Sequence, residues 1–215
     1  MPDEGRGAST QDRALESDGG RAPVSDEELM ALALAGDNAA FGCLVQRYGD
    51  RLVGFCYRYL GVRQAAEDAA QTTWLKVYRA RQRYDGRSGF APWFYRIAAH
   101  TCIDTLRRPR PALLEDADRV AETEALAAGK MAAPDEKAIA DERAELVRRA
   151  LLSLPDKQRL ALVLRHYQGL EYRSIARICG CTVGTVKSRV HYGLAALRDK
   201  LEREGVLEEE TGQHP

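Results

Sequence analysis

Apolar residues recur every three or four positions along most of the chain, and this spacing predicts helices. The longest run extends from Phe41 to Leu60 and ends at Gly61, a residue suited to the left-handed conformation that closes a helix. An earlier helix is predicted from Ser25 to Gly36, because Ser25 is a preferred N-cap and three carboxylates follow it. Nothing in the first half of the chain alternates with the period of two that marks a strand.

Two further helices complete this first half. One spans about 64–80, and the next begins near Pro92, which suits a first helical turn, and ends at Arg107. The loop between them, 81–90, is basic and aromatic and contains glycine. Residues 109–141 then change to proline, alanine and glutamate with no sustained apolar stripe, so we interpret them as a flexible linker.

Helical periodicity returns in the second half near Glu142, and Pro155 begins another helix that Gly169 stops. A short helix at about 172–179 follows, and after a turn Thr182 is placed to cap a final helix. A short helix, a tight turn with glycine and a longer amphipathic helix have the sequence form of a helix-turn-helix, whose second helix enters the major groove of DNA. The predicted fold is all-α, with two small helical domains joined by the linker.

The final helix has two distinct sides. Its apolar stripe consists of Val183, Val186, Val190, Leu194 and Leu197. The opposite side consists of Gly184, Thr185, Ser188, Arg189, His191 and Tyr192, with Lys187 at the border. Because Thr185, Ser188 and Arg189 offer donors that reach phosphates or base edges, this side is suited to the groove of DNA. The alternative is a helix-turn-helix that serves only for packing.

Charge favours the first interpretation. The 32 basic and 32 acidic residues balance over the whole chain, but not within its segments. Residues 142–203 carry 13 basic and 6 acidic side chains, and 26–108 carry 12 and 9. Within the latter, 76–108 holds eight basic residues against Asp85 and Asp104. Two separate basic surfaces are predicted, as a nucleic-acid partner would require.

Composition excludes several classes of protein. With 45% apolar and 30% charged residues, the chain is typical of a soluble folded protein, and no stretch approaches the roughly 18 apolar residues of a membrane helix. The N-terminus lacks a secretory signal, so we expect a cytoplasmic protein without membrane insertion. We find no phosphate-binding glycine loop, nucleophile elbow or carboxylate dyad, and therefore expect neither enzymatic activity nor a cofactor.

The five cysteines do not form a disulfide pattern, and we expect them to be reduced. Cys179 and Cys181 form a C-x-C pair at the predicted turn, but no further cysteine or histidine lies nearby in the sequence. Packing of small side chains is the default interpretation of this pair, and a metal site or a redox sensor are the alternatives.

Several runs of residues carry more specific information. The first half contains AEDAAQTTW at 66–74 and FAPWFYRIAAH at 90–100, and the second half contains LPDKQR at 154–159, GLEYRSIA at 169–176 and TVGTVKSRV at 182–190. These runs resemble regions 2 and 4 of bacterial RNA polymerase sigma factors, in the extracytoplasmic-function group of the sigma-70 family. The resemblance spans about 26–203, with both motif sets in order.

The resemblance implies contacts for the first domain. In the family, the helix with the AED motif docks on a coiled coil of the polymerase β′ subunit, which maps onto Glu67, Asp68 and Gln71. The following loop and helix hold bases of the minus-10 element. An unstacked base needs an aromatic pocket and its backbone needs cations. The matching side chains in this chain are Arg83, Tyr84, Arg87, Phe90 and Arg96.

For the second domain, the resemblance implies that the final helix reads the minus-35 element through Thr185, Lys187, Ser188 and Arg189, and that the domain meets the β flap. The chain departs from the family just afterwards: many members continue with His-Arg-Ala-Arg, whereas HYGL stands at 191–194. Two usual cations are absent there, and Gly193 should weaken the helix by about 1 kcal/mol relative to alanine.

The resemblance thus implies an initiation factor whose partners are core RNA polymerase, promoter DNA and an anti-sigma factor. The expected organisation is a disordered tail (1–24), region 2 (25–108), the linker (109–141), region 4 (142–203) and an acidic tail (204–215). A stand-alone regulator that binds duplex DNA as a homodimer is one alternative, and it leaves region 2 unexplained. A helical adaptor that binds only proteins is another, and it does not need two basic surfaces.

Overall fold

The computed structural model describes residues 24–107 and 134–206, with side chains of the second range described from residue 143. Within these ranges every element is helical, which confirms the all-α prediction. All but the last residue of the predicted disordered tail, most of the linker and most of the acidic tail lie outside the described residues. Among the helices described, none has the length and apolar character needed to span a bilayer.

The first domain follows the predicted helices closely. Its helices are α1 (Asp26–Leu34), α2 (Asn38–Leu60), α3 (Arg63–Ala80), a 3-10 turn (Arg81–Arg83) and α4 (Phe90–Arg107). Ser25 caps α1 as predicted: its hydroxyl accepts from the Glu28 backbone N–H, and the Glu28 carboxylate reaches back to the Ser25 backbone N–H at 2.8 Å. Gly61 closes α2 in the left-handed conformation, also as predicted.

The second domain contains one boundary that the sequence analysis placed wrongly. Its elements are α5 (Pro134–Leu152), α6 (Asp156–Leu162), a π-helical turn (Val163–Tyr167), α7 (Tyr172–Cys179) and α8 (Val183–Arg203). Helix α5 begins eight residues before the predicted Glu142, so 134–141, within the segment interpreted as linker, is helical. This segment lacks an apolar stripe, but it opens with proline followed by acidic residues, and both favour a first helical turn.

Helix α8 packs through a stripe that differs slightly from the predicted one. Val186 and Val190 are buried as expected, whereas Leu194 is 39% exposed and Gly193 is buried in its place. A Cβ at Gly193 would lie 3.2 Å from Leu162 Cδ1 of α6. The glycine therefore lets α6 and α8 approach closely, which gives this residue a packing role beside its low helix propensity.

The two domains pack against each other through buried arginines. Arg148 of α5 is 5% exposed, donates to the Gly61 carbonyl oxygen at 2.8 Å and lies 5.0 Å from the centre of the Tyr57 ring. Arg159 of α6 lies 5.1 Å from the Tyr59 ring. Helix α7 also contacts α4. The second domain therefore packs on the C-terminal end of α2.

Gly61→Ala should lower the free energy of unfolding by about 1–3 kcal/mol. The residue has a φ of 83°, which costs a side-chain-bearing residue about 1–2 kcal/mol. The new Cβ would also meet Leu152 Cδ1 of α5 at 2.7 Å. Urea unfolding measures the change. Gly42→Ala is the control, because that helical position has open space around its Cβ and should be unaffected or slightly stabilised. Equal stability of Gly61→Ala and the wild type would contradict this account.

Candidate nucleic-acid and polymerase interfaces

The turn between α7 and α8 presents the start of α8 to solvent. Gly180 ends α7 at a φ of 60°, and Thr182 caps α8 by accepting from the Thr185 backbone N–H at 3.1 Å. Lys187 and Ser188 are exposed, and Thr185 and Arg189 are half-buried. The structure therefore brings the four predicted minus-35 residues together on the solvent-facing part of one helical segment. Each can present a donor there.

Arg189 is oriented by the turn. One of its guanidinium nitrogens lies 3.4 Å from the Cys181 sulfur. Burial raises the pKa of the neighbouring Cys179 thiol to about 11, while Arg189 acts in the opposite direction. Cys179 is thus a thiol at neutral pH, which agrees with the packing interpretation of the C-x-C pair. All five cysteines are free, and no cluster of three metal-ligating side chains occurs in the described ranges.

A concave surface beside this turn extends the positive charge to α7. It is lined by Arg173, Ala176, Arg177, Gly180, Cys181, Thr182 and Val183. Arg173 and Arg177 are both exposed, and they were recognised in the sequence only as contributors to net charge. Their position places two cations next to the start of α8, where the phosphates that flank a bound groove would run.

The loop between α3 and α4 exposes its arginines. Arg83, Arg87 and Arg96 are exposed, and the side chain of Arg87 is 88% exposed although it lies 3.7 Å from an Asp85 carboxylate oxygen. Tyr84 is half-buried, with its ring centre 5.1 Å from that of Trp93. Two exposed cations of the loop and Arg96 of α4 thus accompany an aromatic pair, the composition that single-stranded nucleic acid requires.

Burial of Tyr84 has an electrostatic consequence. Its hydroxyl is inaccessible to solvent and has no hydrogen-bond partner among the described residues. Burial raises the pKa of Tyr84, and the carboxylates of Glu27, Asp85 and Asp26 raise it further. The hydroxyl therefore stays protonated at neutral pH and remains a potential donor.

Phe90 is not on this surface. Its ring has no exposed area and packs 5.2 Å from the Tyr48 ring centre and 5.6 Å from that of Phe94. Phe90 was predicted to belong to the loop, but α4 begins at this residue, two positions before Pro92, and turns the side chain into the core. The prediction that Phe90 offers an aromatic surface to a base is wrong for this structure. Its ring packs against that of Tyr84 in a T-shaped arrangement, with the ring centres 6.3 Å apart.

A third surface lies on α3 and carries the predicted polymerase contacts. Asp68 and Gln71 are exposed, and Glu67 is half-buried with its carboxylate 2.9 Å from Arg63 Nε. At 100° per residue these side chains share one side of the helix with Leu75 and Tyr78, which are 59% and 42% exposed.

Leu75 and Tyr78 were not recognised as functional residues from the sequence. Tyr78 follows the three- and four-residue spacing of the apolar positions of α3, which by itself predicts a buried side chain. In the structure its ring lies on the surface, where its edge meets Phe41 at 5.4 Å and the Arg81 guanidinium lies over it at 3.7 Å. Two neighbouring apolar side chains between polar ones are typical of a protein interface. The sequence could have indicated the exposure of Leu75, because this residue lies off the buried stripe of α3.

Two family models match the chain. Sigma-70 region 2 matches residues 44–111, and Sigma-70, region 4 matches residues 144–197. The first match includes α3, α4 and the loop between them. The second includes α7, the turn and α8 as far as Leu197.

Curated relatives match over most of their length. The chain is 36% identical over 173 residues to the ECF RNA polymerase sigma factor SigW of Bacillus subtilis, covering 77% of this chain and 91% of that protein. It is 34% identical over 184 residues to the ECF RNA polymerase sigma-E factor of Escherichia coli K12, covering 83% and 95%.

Solved structures show the same fold. The structure of CnrH in complex with the cytosolic domain of CnrY superposes with a TM-score of 0.62 at 23% identity, covering 83% of this chain and 98% of that one. The sigma factor RpoE of Bartonella quintana, in complex with the anti-sigma factor NepR, gives a TM-score of 0.60 at 26% identity, covering 75% and 96%.

Proposed function

The chain belongs to the sigma-70 family, in its extracytoplasmic-function group, and from this premise we propose that it binds core RNA polymerase, directs it to promoters with two elements and helps to melt them. It is a sigma factor of transcription initiation. The proposal that it binds polymerase and two promoter elements rests on three separate exposed surfaces. Two of them are cationic, and the third is acidic with an apolar centre.

The surface on α8 is assigned to the minus-35 element. Thr185, Lys187, Ser188 and Arg189 would face the major groove, and Arg173 and Arg177 of α7 would hold the flanking phosphates. Hydrogen bonds from such side chains to base edges provide sequence specificity, while phosphate contacts set the register of the helix on DNA.

The surface around the 81–90 loop is assigned to the minus-10 element. Tyr84 and Trp93 would stack on an unpaired base, and Arg83, Arg87 and Arg96 would bind the backbone of the open strand. Stacking on an aromatic ring contributes about 1–3 kcal/mol per base and offsets part of the free energy of unpairing. Phe90 would contribute to this surface only indirectly, by packing against Tyr84.

The surface on α3 is assigned to core polymerase. Asp68 and Gln71 would provide polar contacts around Leu75 and Tyr78, with Glu67 at the edge. An apolar centre with a polar rim is the usual arrangement of a protein interface. The second domain would meet the β flap, and the polymerase would catalyse RNA synthesis in the cytoplasm.

The packing of the two domains has a consequence for this proposal. Promoter elements centred about 25 base pairs apart are separated by roughly 85 Å at 3.4 Å per base pair. Helices α4 and α7 are in contact in the structure, so the two DNA surfaces do not span that distance together. Binding both elements would require the domains to separate, and the 26 residues at 108–133 reach at most about 90 Å when extended.

An anti-sigma factor is a further proposed partner. The RpoE structure from Bartonella quintana contains such a factor, and its sigma chain shares 26% identity and the fold with this one. A cytosolic protein that covers α3 or holds the domains together would prevent polymerase binding.

Permanganate footprinting of a reconstituted holoenzyme on promoter DNA tests the melting step. We expect reactive thymines near minus-10 only when the protein is present.

The double variant Arg83→Ala/Arg87→Ala should lower the slope of log affinity for an open-strand probe against log salt by about 1.4, since each phosphate contact on a single strand contributes about 0.7.

Arg198→Ala/Arg203→Ala is the matched control, because it removes the same charge from the far end of α8, where both side chains are exposed. It should leave this slope unchanged. If the protein bound duplex DNA in the absence of polymerase and no thymines became reactive, the stand-alone regulator would be favoured instead.

A further inference from the structure

A carboxylate from α1 caps the helix that follows the minus-10 loop. Glu27 Oε1 accepts a hydrogen bond from the Phe90 backbone N–H at 2.9 Å, across 63 residues of sequence. Phe90 is the first residue of α4, so its N–H has no acceptor within the helix. A negative charge at this end also complements the helix dipole.

Helix α1 is held firmly enough to place this carboxylate. Ser25 and Glu28 form the capping box at its start. The adjacent Asp26 accepts hydrogen bonds from the side chains of Arg47 and Tyr48 on α2. Glu27 thus projects from a turn that the capping box closes and that Asp26 ties to α2, although the residue itself is exposed.

The contact lies at the C-terminal end of the loop. Gly89 precedes Phe90 at a φ of 75°, and a Cβ at Gly89 would lie 3.5 Å from Glu27 Oε1. At the other end of the loop, the Glu27 charge contributes to the raised pKa of Tyr84, after burial. Glu27 therefore lies close to the C-terminal end of the loop and near enough to Tyr84 to act on its charge.

We propose that Glu27 is a positioning residue for minus-10 recognition: it fixes the start of α4 and so holds the 81–90 loop in the conformation that receives the open strand. The inference rests on the proposed function and adds to it a residue outside the loop and outside α4. The acceptor oxygen performs this role, since it satisfies the Phe90 N–H, and the charge is secondary.

The test uses holoenzyme assembled from core polymerase and the full chain. Its probe is a fluorescent fork-junction DNA whose minus-10 segment is single-stranded. Glu27→Ala should weaken binding of this probe about tenfold, because the Phe90 N–H loses its acceptor. Glu27→Gln retains an acceptor oxygen at the same reach and should stay within about threefold of the wild type.

Two further variants separate positioning from folding. Glu27→Asp keeps the charge in the first turn of α1 but shortens the side chain by one methylene, so it should bind the fork probe as weakly as Glu27→Ala. Asp50→Ala, which removes an exposed carboxylate of α2, should bind it like the wild type. Binding of each variant to core polymerase should be unchanged.

The outcomes are distinguishable. If the wild-type holoenzyme does not bind the fork probe, the proposed function fails before Glu27 is tested. If it binds and Glu27→Ala binds equally well, the positioning role is overturned. Equal losses for Glu27→Ala and Glu27→Gln would overturn the hydrogen-bond argument, and a parallel loss of core binding would show a general effect on the domain.

Discussion

Arg189→Ala should reduce transcription from a promoter that depends on its minus-35 element by about tenfold or more. The Arg189 side chain lies near the start of α8, beside Lys187 and Ser188, and a bidentate contact of arginine with a base contributes about 1–3 kcal/mol. The loss should appear as weaker promoter binding by the holoenzyme, while melting of an already bound promoter stays the same. Start-site transcription at several promoter concentrations measures both.

Arg198→Ala is the matched control for this prediction. It removes the same charge nine residues later on α8, half a turn away around the helix axis, from a side chain that is 72% exposed. Its transcription should match that of the wild type. If both variants lose activity equally, net charge rather than a groove contact would explain the effect, and the assignment of Arg189 would be contradicted.

Leu75→Lys should weaken binding to core polymerase by about 30-fold. Leu75 is 59% exposed, more than any other large aliphatic side chain among the described residues, and it lies between the polar residues of α3. A buried apolar residue at the centre of an interface commonly contributes 2 kcal/mol or more, and lysine would place a charge there. Anisotropy of a labelled chain titrated with core polymerase measures the affinity.

Folding should not change, because exposed helical positions accept lysine with effects within about 0.5 kcal/mol. Leu32→Lys is the control, since this leucine of α1 is 47% exposed and lies outside the proposed interface. It should bind core polymerase normally. Normal binding by Leu75→Lys would show that the polymerase contacts another surface.

The helices could be predicted because their signals are local. Ser25, Gly61 and Thr182 mark helix ends through side-chain or backbone chemistry that involves only neighbouring residues, and the structure has all three as caps. Helix α7 was predicted at both ends. The start of α5 was missed because 134–141 is helical without the apolar stripe on which the prediction relied.

The features that were missed depend on contacts between distant parts of the chain. Phe90 is buried because α4 turns it toward Tyr48 of α2, and Gly193 is buried because α6 approaches it. Glu27 caps a helix 63 residues away. No periodicity reveals such pairs. The candidate DNA residues of α8 were found because their spacing and the resemblance point to the same side of one helix.

The most direct test of the central claim is run-off transcription by purified core polymerase, with and without this protein, on genomic fragments, followed by mapping of the start sites. The account predicts new starts that appear only with the protein and share two upstream elements near minus-10 and minus-35. It would be contradicted if the protein bound core polymerase yet directed no start, as an antagonist would, or failed to bind core polymerase at all.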